Sequence, residues 1–174
     1  MVRPLQVVYL VLMFGVMVFA GVVLFLYSTN VSESSDGETS LLNMLSLVHV
    51  VVAFGGFIVS HFLYNAQFHP KRLTSVLQGD MRNDEGNLIA STPTEKCIAI
   101  IRTALIIRIA PLEGAAFFGL VTCMVGVTSG LLQQYPEYWA NLATSVIIIG
   151  FIIATFPNKE RVMRIFEEKI RGTS

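Results

Sequence analysis

Apolar residues gather into four long runs, at about 5–27, 42–64, 109–132 and 139–156, and polar residues are confined to the stretches between and after them. An α-helix rises about 1.5 Å per residue and a hydrocarbon core is about 30 Å thick, so roughly 20 apolar residues cross it. The first three runs meet that length, and the fourth, of 18 residues, lies near the lower limit. The pattern predicts an all-α protein, an integral membrane four-helix bundle forming a single membrane domain over 1–174. Segment 65–108 is expected as a cytoplasmic loop and 157–174 as a cytoplasmic amphipathic tail.

Within the polar stretches, local signals predict further elements. Pro70 follows the second run, and the stretch from Arg82 to Asn87 reads as a turn. Ser91, Thr92, Pro93 and Glu95 supply a hydroxyl cap, a first-turn proline and an acid, which start a new helix leading toward the third run. Lying at the interface before it enters the membrane, that helix is expected to hold Arg102 and Arg108 at the headgroups. After Pro157, Val162, Phe166 and Ile170 recur every four residues among basic side chains, which predicts a helix lying on the membrane surface. At an offset of 99 positions the stretch 14–20 overlies 113–119; this suggests two tandem helical hairpins, with chance likeness between apolar runs as the alternative.

Composition agrees with membrane embedding: 53% of residues are hydrophobic and 14% charged, against about 25% charged in an average soluble domain. Mean hydropathy is +0.65. The formal net charge is zero, and no basic stretch is interleaved with stacking aromatics, so nothing supports a nucleic-acid partner. The two cysteines, Cys97 and Cys123, fall in a basic zone and within a span, so they are expected as thiols and not as a disulfide framework. The first run is longer than the apolar part of a signal peptide and lacks a small-residue cleavage site, so it is read as a retained span.

The distribution of charge sets an orientation. All 12 Lys and Arg residues lie in 1–4, 65–108 and 157–174, which an amino terminus in the cytoplasm would place on one side. The opposite stretches hold Glu33, Asp36, Glu38 and Glu137, with Tyr135, Tyr138 and Trp139 as an interfacial aromatic belt. The expected location is therefore a membrane, the bacterial inner membrane, with both termini cytoplasmic. Asn30, Val31 and Ser32 match a glycosylation acceptor, a pattern short enough to arise by chance.

Glu113 is the one acid inside an apolar run, where a charged carboxylate costs about 2.5–3.5 kcal/mol on insertion scales. It is expected near the inner end of the third span, with His61 or Arg108 as supporting partner. Ala115, Gly119, Thr122, Gly126 and Ser129 recur at spacings of four and three, with Gly126 and Gly130 forming a GxxxG pair. Such a face lets helices approach closely and marks the third span as a contact helix, its partner either in this chain or in another copy. His49 and His61 share the second run but point about 120° apart, and the other runs hold no histidine, so haem ligation within one chain is not expected. No metal-type Cys/His spacing, nucleophile elbow, P-loop or paired-carboxylate motif occurs, so no cofactor, metal or catalytic residue is expected.

The string Leu112, Glu113, Gly114, Ala115, Ala116, Phe117, Phe118, Gly119, Leu120, Val121 resembles the carboxylate-bearing helix of the proteolipid, or c, subunits of rotary ATPases. The resemblance covers about ten residues. It implies Glu113 as a proton- or sodium-binding carboxylate and the small-residue face as a ring contact. Three functions are thus expected, in order: a non-catalytic membrane subunit assembling with copies of itself or other membrane subunits in the bilayer, an ion-translocating ring subunit using Glu113, and an enzyme acting on a lipid or quinone.

Overall fold

The long third helix organises the molecule, and its start is fixed by local chemistry. In the computed structural model, which describes residues 2–29, 39–79, 81–82, 88–90 and 92–170, Thr92 accepts from the Glu95 backbone N–H at 3.3 Å while the Glu95 side chain accepts from the Thr92 N–H at 3.2 Å. This reciprocal cap, with Pro93 in the first turn, satisfies donors that a helix start leaves free. The helix (α4, Pro93–Thr128) then continues for 36 residues, about 54 Å and well beyond one hydrocarbon core.

The other elements are α1 (Arg3–Thr29), α2 (Thr39–Gln67), α3 (Pro70–Gln78), α5 (Leu131–Gln134), a 3-10 helix (Pro136–Leu142), α6 (Ala143–Ala154) and α7 (Lys159–Lys169). A small antiparallel ladder, β1 (Met81–Arg82) with β2 (Leu88–Ala90), flanks the expected turn, whose residues 83–87 lie outside the described set. The glycosylation-type triplet lies outside it too. Four helices are long and apolar enough to cross a membrane: α1, α2, α4 and the combined stretch Pro136–Ala154. The protein is an all-helical membrane bundle apart from that ladder. The fourth crossing couples about 18 Å of α-helix to about 14 Å of 3-10 helix, whose greater rise lets 19 residues span the core.

Packing centres on α4, which lies against α2, α1 and α6. Its buried residues Ile101, Ala104, Leu105, Ile109, Leu112, Ala116 and Leu120 form the core with Leu5, Tyr9 and Val16 of α1 and Ile148 and Ile152 of α6. Large side chains of α1 and α2 such as Phe14, Phe54 and Phe62 point outward, as suits lipid in place of water. Pro111 sits within α4 without ending it. It removes one backbone donor, and the Ser60 hydroxyl of α2 donates to the neighbouring Arg108 carbonyl at that point.

Two expectations change here. The first turns of α4 do not lie flat at the interface: Cys97, Ile100 and Ile101 are buried, and the helix runs straight through into the third span. The tail forms the expected helix, but Val162, Phe166 and Ile170 are partly buried against the protein core, with Val162 and Phe166 also lining a groove beside it. Segment 65–108 also contains α3, whose Leu73 is buried. Lys96, only 6% exposed, ties α3 to α4 by donating to the carbonyls of Leu77 and Gly79 at 3.1 and 2.6 Å.

Candidate functional site

Three residues per turn is the geometry that builds the site. In a 3-10 helix, side chains at i and i+3 eclipse, so Tyr138 and Asn141, followed three residues later by Thr144 at the start of α6, all face α2. On α2, Asn43, Ser46 and His49 lie at the same spacing of three. The two rows meet in a chain of hydrogen bonds at the end of the bundle opposite most of the basic residues. Tyr138 donates its hydroxyl to Asn43 Oδ1 at 2.7 Å. Asn141 Nδ2 donates to Ser46 Oγ and to the Tyr138 carbonyl, each at 2.9 Å. His49 Nδ1 meets Asn141 Oδ1 at 2.8 Å, and His49 Nε2 meets Thr144 Oγ1 at 2.9 Å.

The donors and acceptors assign the histidine. With its amide nitrogen committed twice, Asn141 presents Oδ1 as acceptor, so a neutral His49 carries its proton on Nδ1 and accepts from the Thr144 hydroxyl at Nε2. The Thr144 hydroxyl also lies 3.2 Å from the Asn141 carbonyl. His49 is 3% exposed and Asn141 5%, so each of these bonds replaces water that the site excludes. Gly119 of α4 makes the approach possible: a Cβ there would collide with the Asn141 carbonyl and lie 2.7 Å from the His49 ring. Phe118 stacks beside the ring, with centroids 6.2 Å apart.

Above this floor, a groove of about 560 Å³ opens between α2 and α6, walled by Val50, Phe54, Phe57 and Ile147. Ser46 and Thr144 are half-buried in its lining, with Glu137 at its end. Ser46 Oγ accepts from Asn141, and its own hydroxyl hydrogen meets no acceptor among the described residues.

Of the residues singled out from sequence, Ala115 and Gly119 belong to this site, and Glu113, His61 and Arg108 fall elsewhere. Glu113 is half-buried on α4 and has neither hydrogen bond nor ion pair among the described residues. His61 is exposed and pairs with Asn65 Nδ2 at 2.9 Å, not with Glu113. Arg108 sits over the rings of Tyr64 and Phe151, at 4.7 and 5.0 Å from their centroids. Of the small-residue face, Ala115 and Gly119 sit directly under α2, and a Cβ on Gly126 would lie 3.3 Å from Leu42 of the same helix. Buried Thr122 donates to the Phe118 carbonyl within α4. Gly130 does not pack in that face: it has φ 73° and turns the chain from α4 into α5, a left-handed conformation that favours glycine. The residues missed from sequence are Ser46, Asn141, Thr144 and Tyr138. Their signal is the matched rows of small or polar positions: 46, 49, 53, 56 and 60 on α2 recur at spacings of three and four, as the α4 face does.

Fold and site define an integral membrane helical protein with a buried polar cluster in one half of its span. Comparison with protein families, with curated proteins and with solved structures finds no match.

Proposed function

We propose that this chain is a non-catalytic membrane component that holds a lipid-soluble amphiphile in the groove between α2 and α6, the occupant's carbonyl head at Ser46 and its hydrocarbon tail along Val50, Phe54 and Phe57. The observation that carries this reading is an ionisable side chain, His49, bonded at both ring nitrogens at the floor of an apolar groove. Ligand sites have this composition: mostly apolar walls and a few convergent polar groups. The free Ser46 hydroxyl supplies the donor that a quinone or ester carbonyl accepts. The sole tryptophan, Trp139, adjoins the site and gives a readout. A decyl-substituted benzoquinone should quench its fluorescence saturably, and a monoacylglycerol should compete. Ser46→Leu, which fills the polar end, should abolish the saturable part. Equal quenching of wild type and variant would overturn the reading.

A second reading keeps Glu113 as an ion carrier, because a half-buried carboxylate within an apolar run has no partner among the described residues. Carbodiimide labelling of Glu113 that sodium or high pH suppresses would favour it, and absence of labelling in intact membranes would count against it. The ring contact implied by the proteolipid resemblance gains no support from the α4 face, on which α2 of the same chain packs at Ala115, Gly119 and Gly126. Assembly with other subunits or copies would instead use the outward faces of α1 and α2. On the distribution of charge, the basic end faces the cytoplasm.

A further inference from the structure

At the basic end of the bundle, a second groove of about 560 Å³ runs between the start of α1, the first turns of α4 and α7. Its floor is apolar, with Ile98, Val162 and Phe166 among its residues, and its charged lining is of one sign: Arg3 from α1, Arg102 from α4 and Lys159 from α7. All three cations are exposed, and none is paired with a carboxylate among the described residues. They come from three elements far apart in sequence, so their convergence is a property of the fold and not of one basic stretch. The groove lies at the start of α1, where the chain enters its apolar run, the position that a membrane border would take.

We propose that this groove binds one anionic phospholipid of the adjoining leaflet, its phosphate among Arg3, Arg102 and Lys159 and part of an acyl chain along Ile98, Val162 and Phe166. Charge complementarity selects the head: basic pockets between membrane helices take acidic lipid headgroups. The floor selects a lipid over a soluble anion, because a free phosphate or nucleotide would leave the apolar surface uncovered. α7 is then held at the membrane border through its lipid as well as through its packing on α4.

The test is native mass spectrometry of the full chain released from micelles containing equal phosphatidylglycerol and phosphatidylcholine. One phosphatidylglycerol should be retained in preference, and the triple variant R3Q/R102Q/K159Q should lose that preference by at least about tenfold. A control, K71Q/R164Q, removes two basic charges that do not line the groove and should retain the lipid as wild type does. Val162→Glu places a carboxylate in the floor and should lose the lipid with all three cations intact. Equal retention of the two lipids by wild type, undiminished retention by the triple variant, or equal loss in the control would each overturn the proposal. So would displacement by millimolar inorganic phosphate, which would mark a free-anion site.

Discussion

His49 is held at its two ring nitrogens by Asn141 of the 3-10 helix and Thr144 of α6, and Gly119 provides the room for that approach. Gly119→Ala should therefore destabilise the bundle by about 1–3 kcal/mol, the range for overpacking a filled site. Gly114→Ala, five residues earlier on the same helix with nothing within 4 Å of the added methyl, should be neutral or slightly stabilising. Thermal unfolding in mild detergent separates the two, and equal midpoints would mean that α4 and the His49 cluster do not meet as described. Tyr9 gives the reverse case. Its hydroxyl is buried beside the Thr155 side chain, with no hydrogen bond of normal geometry among the described residues, so Tyr9→Phe should raise the unfolding midpoint or leave it unchanged, by up to about 1 kcal/mol. A clear loss would reveal a partner for that hydroxyl.

Among the elements, α3 depends on one side chain. The Lys96 ammonium donates to carbonyls at the end of α3, where a cation also meets the negative end of the helix dipole. Lys96→Met should free those carbonyls, and hydrogen exchange over 70–79 should rise while exchange in the centre of α4 stays slow. Unchanged exchange in α3 would show that Leu73 alone anchors it. The spans were legible in the sequence because length and hydropathy alone decide membrane crossing: α1 and α2 extend only two or three residues past each expected end. The α4 cap was legible for the same kind of reason, since Thr92, Pro93 and Glu95 act on their own backbone. What could not be read were features set by neighbours. Pro70 reads equally as the end of α2 or the start of α3, and it does both jobs, with α3 starting there. The core-facing helix 97–109 looks like an interfacial one until α1 and α7 are seen to cover it. The His49 site escaped notice because its partners lie more than ninety residues away, although the four-three spacing on α2 and the three-residue spacing of Tyr138, Asn141 and Thr144 were on view.

The whole molecule is a set of helices gathered on α4, with its two ends chemically distinct. One end carries the start of α1, α3, the first turns of α4 and α7, and with them the described basic residues; the other carries an aromatic group in which Tyr27 meets Trp139 edge-on at 5.1 Å. Such polarity suits a bilayer whose two borders differ in charge, and it places the groove over His49 and the basic groove at opposite depths. Both proposals depend on that arrangement. It is tested most directly by labelling single cysteines with a membrane-impermeant maleimide in a Cys97→Ser, Cys123→Ser background, using oriented vesicles. Lys71→Cys and Lys159→Cys should react from one and the same side, Glu137→Cys only from the other, and Phe54→Cys from neither. Reaction of the Lys71 and Lys159 positions from opposite sides, or of Phe54→Cys from water, would contradict it.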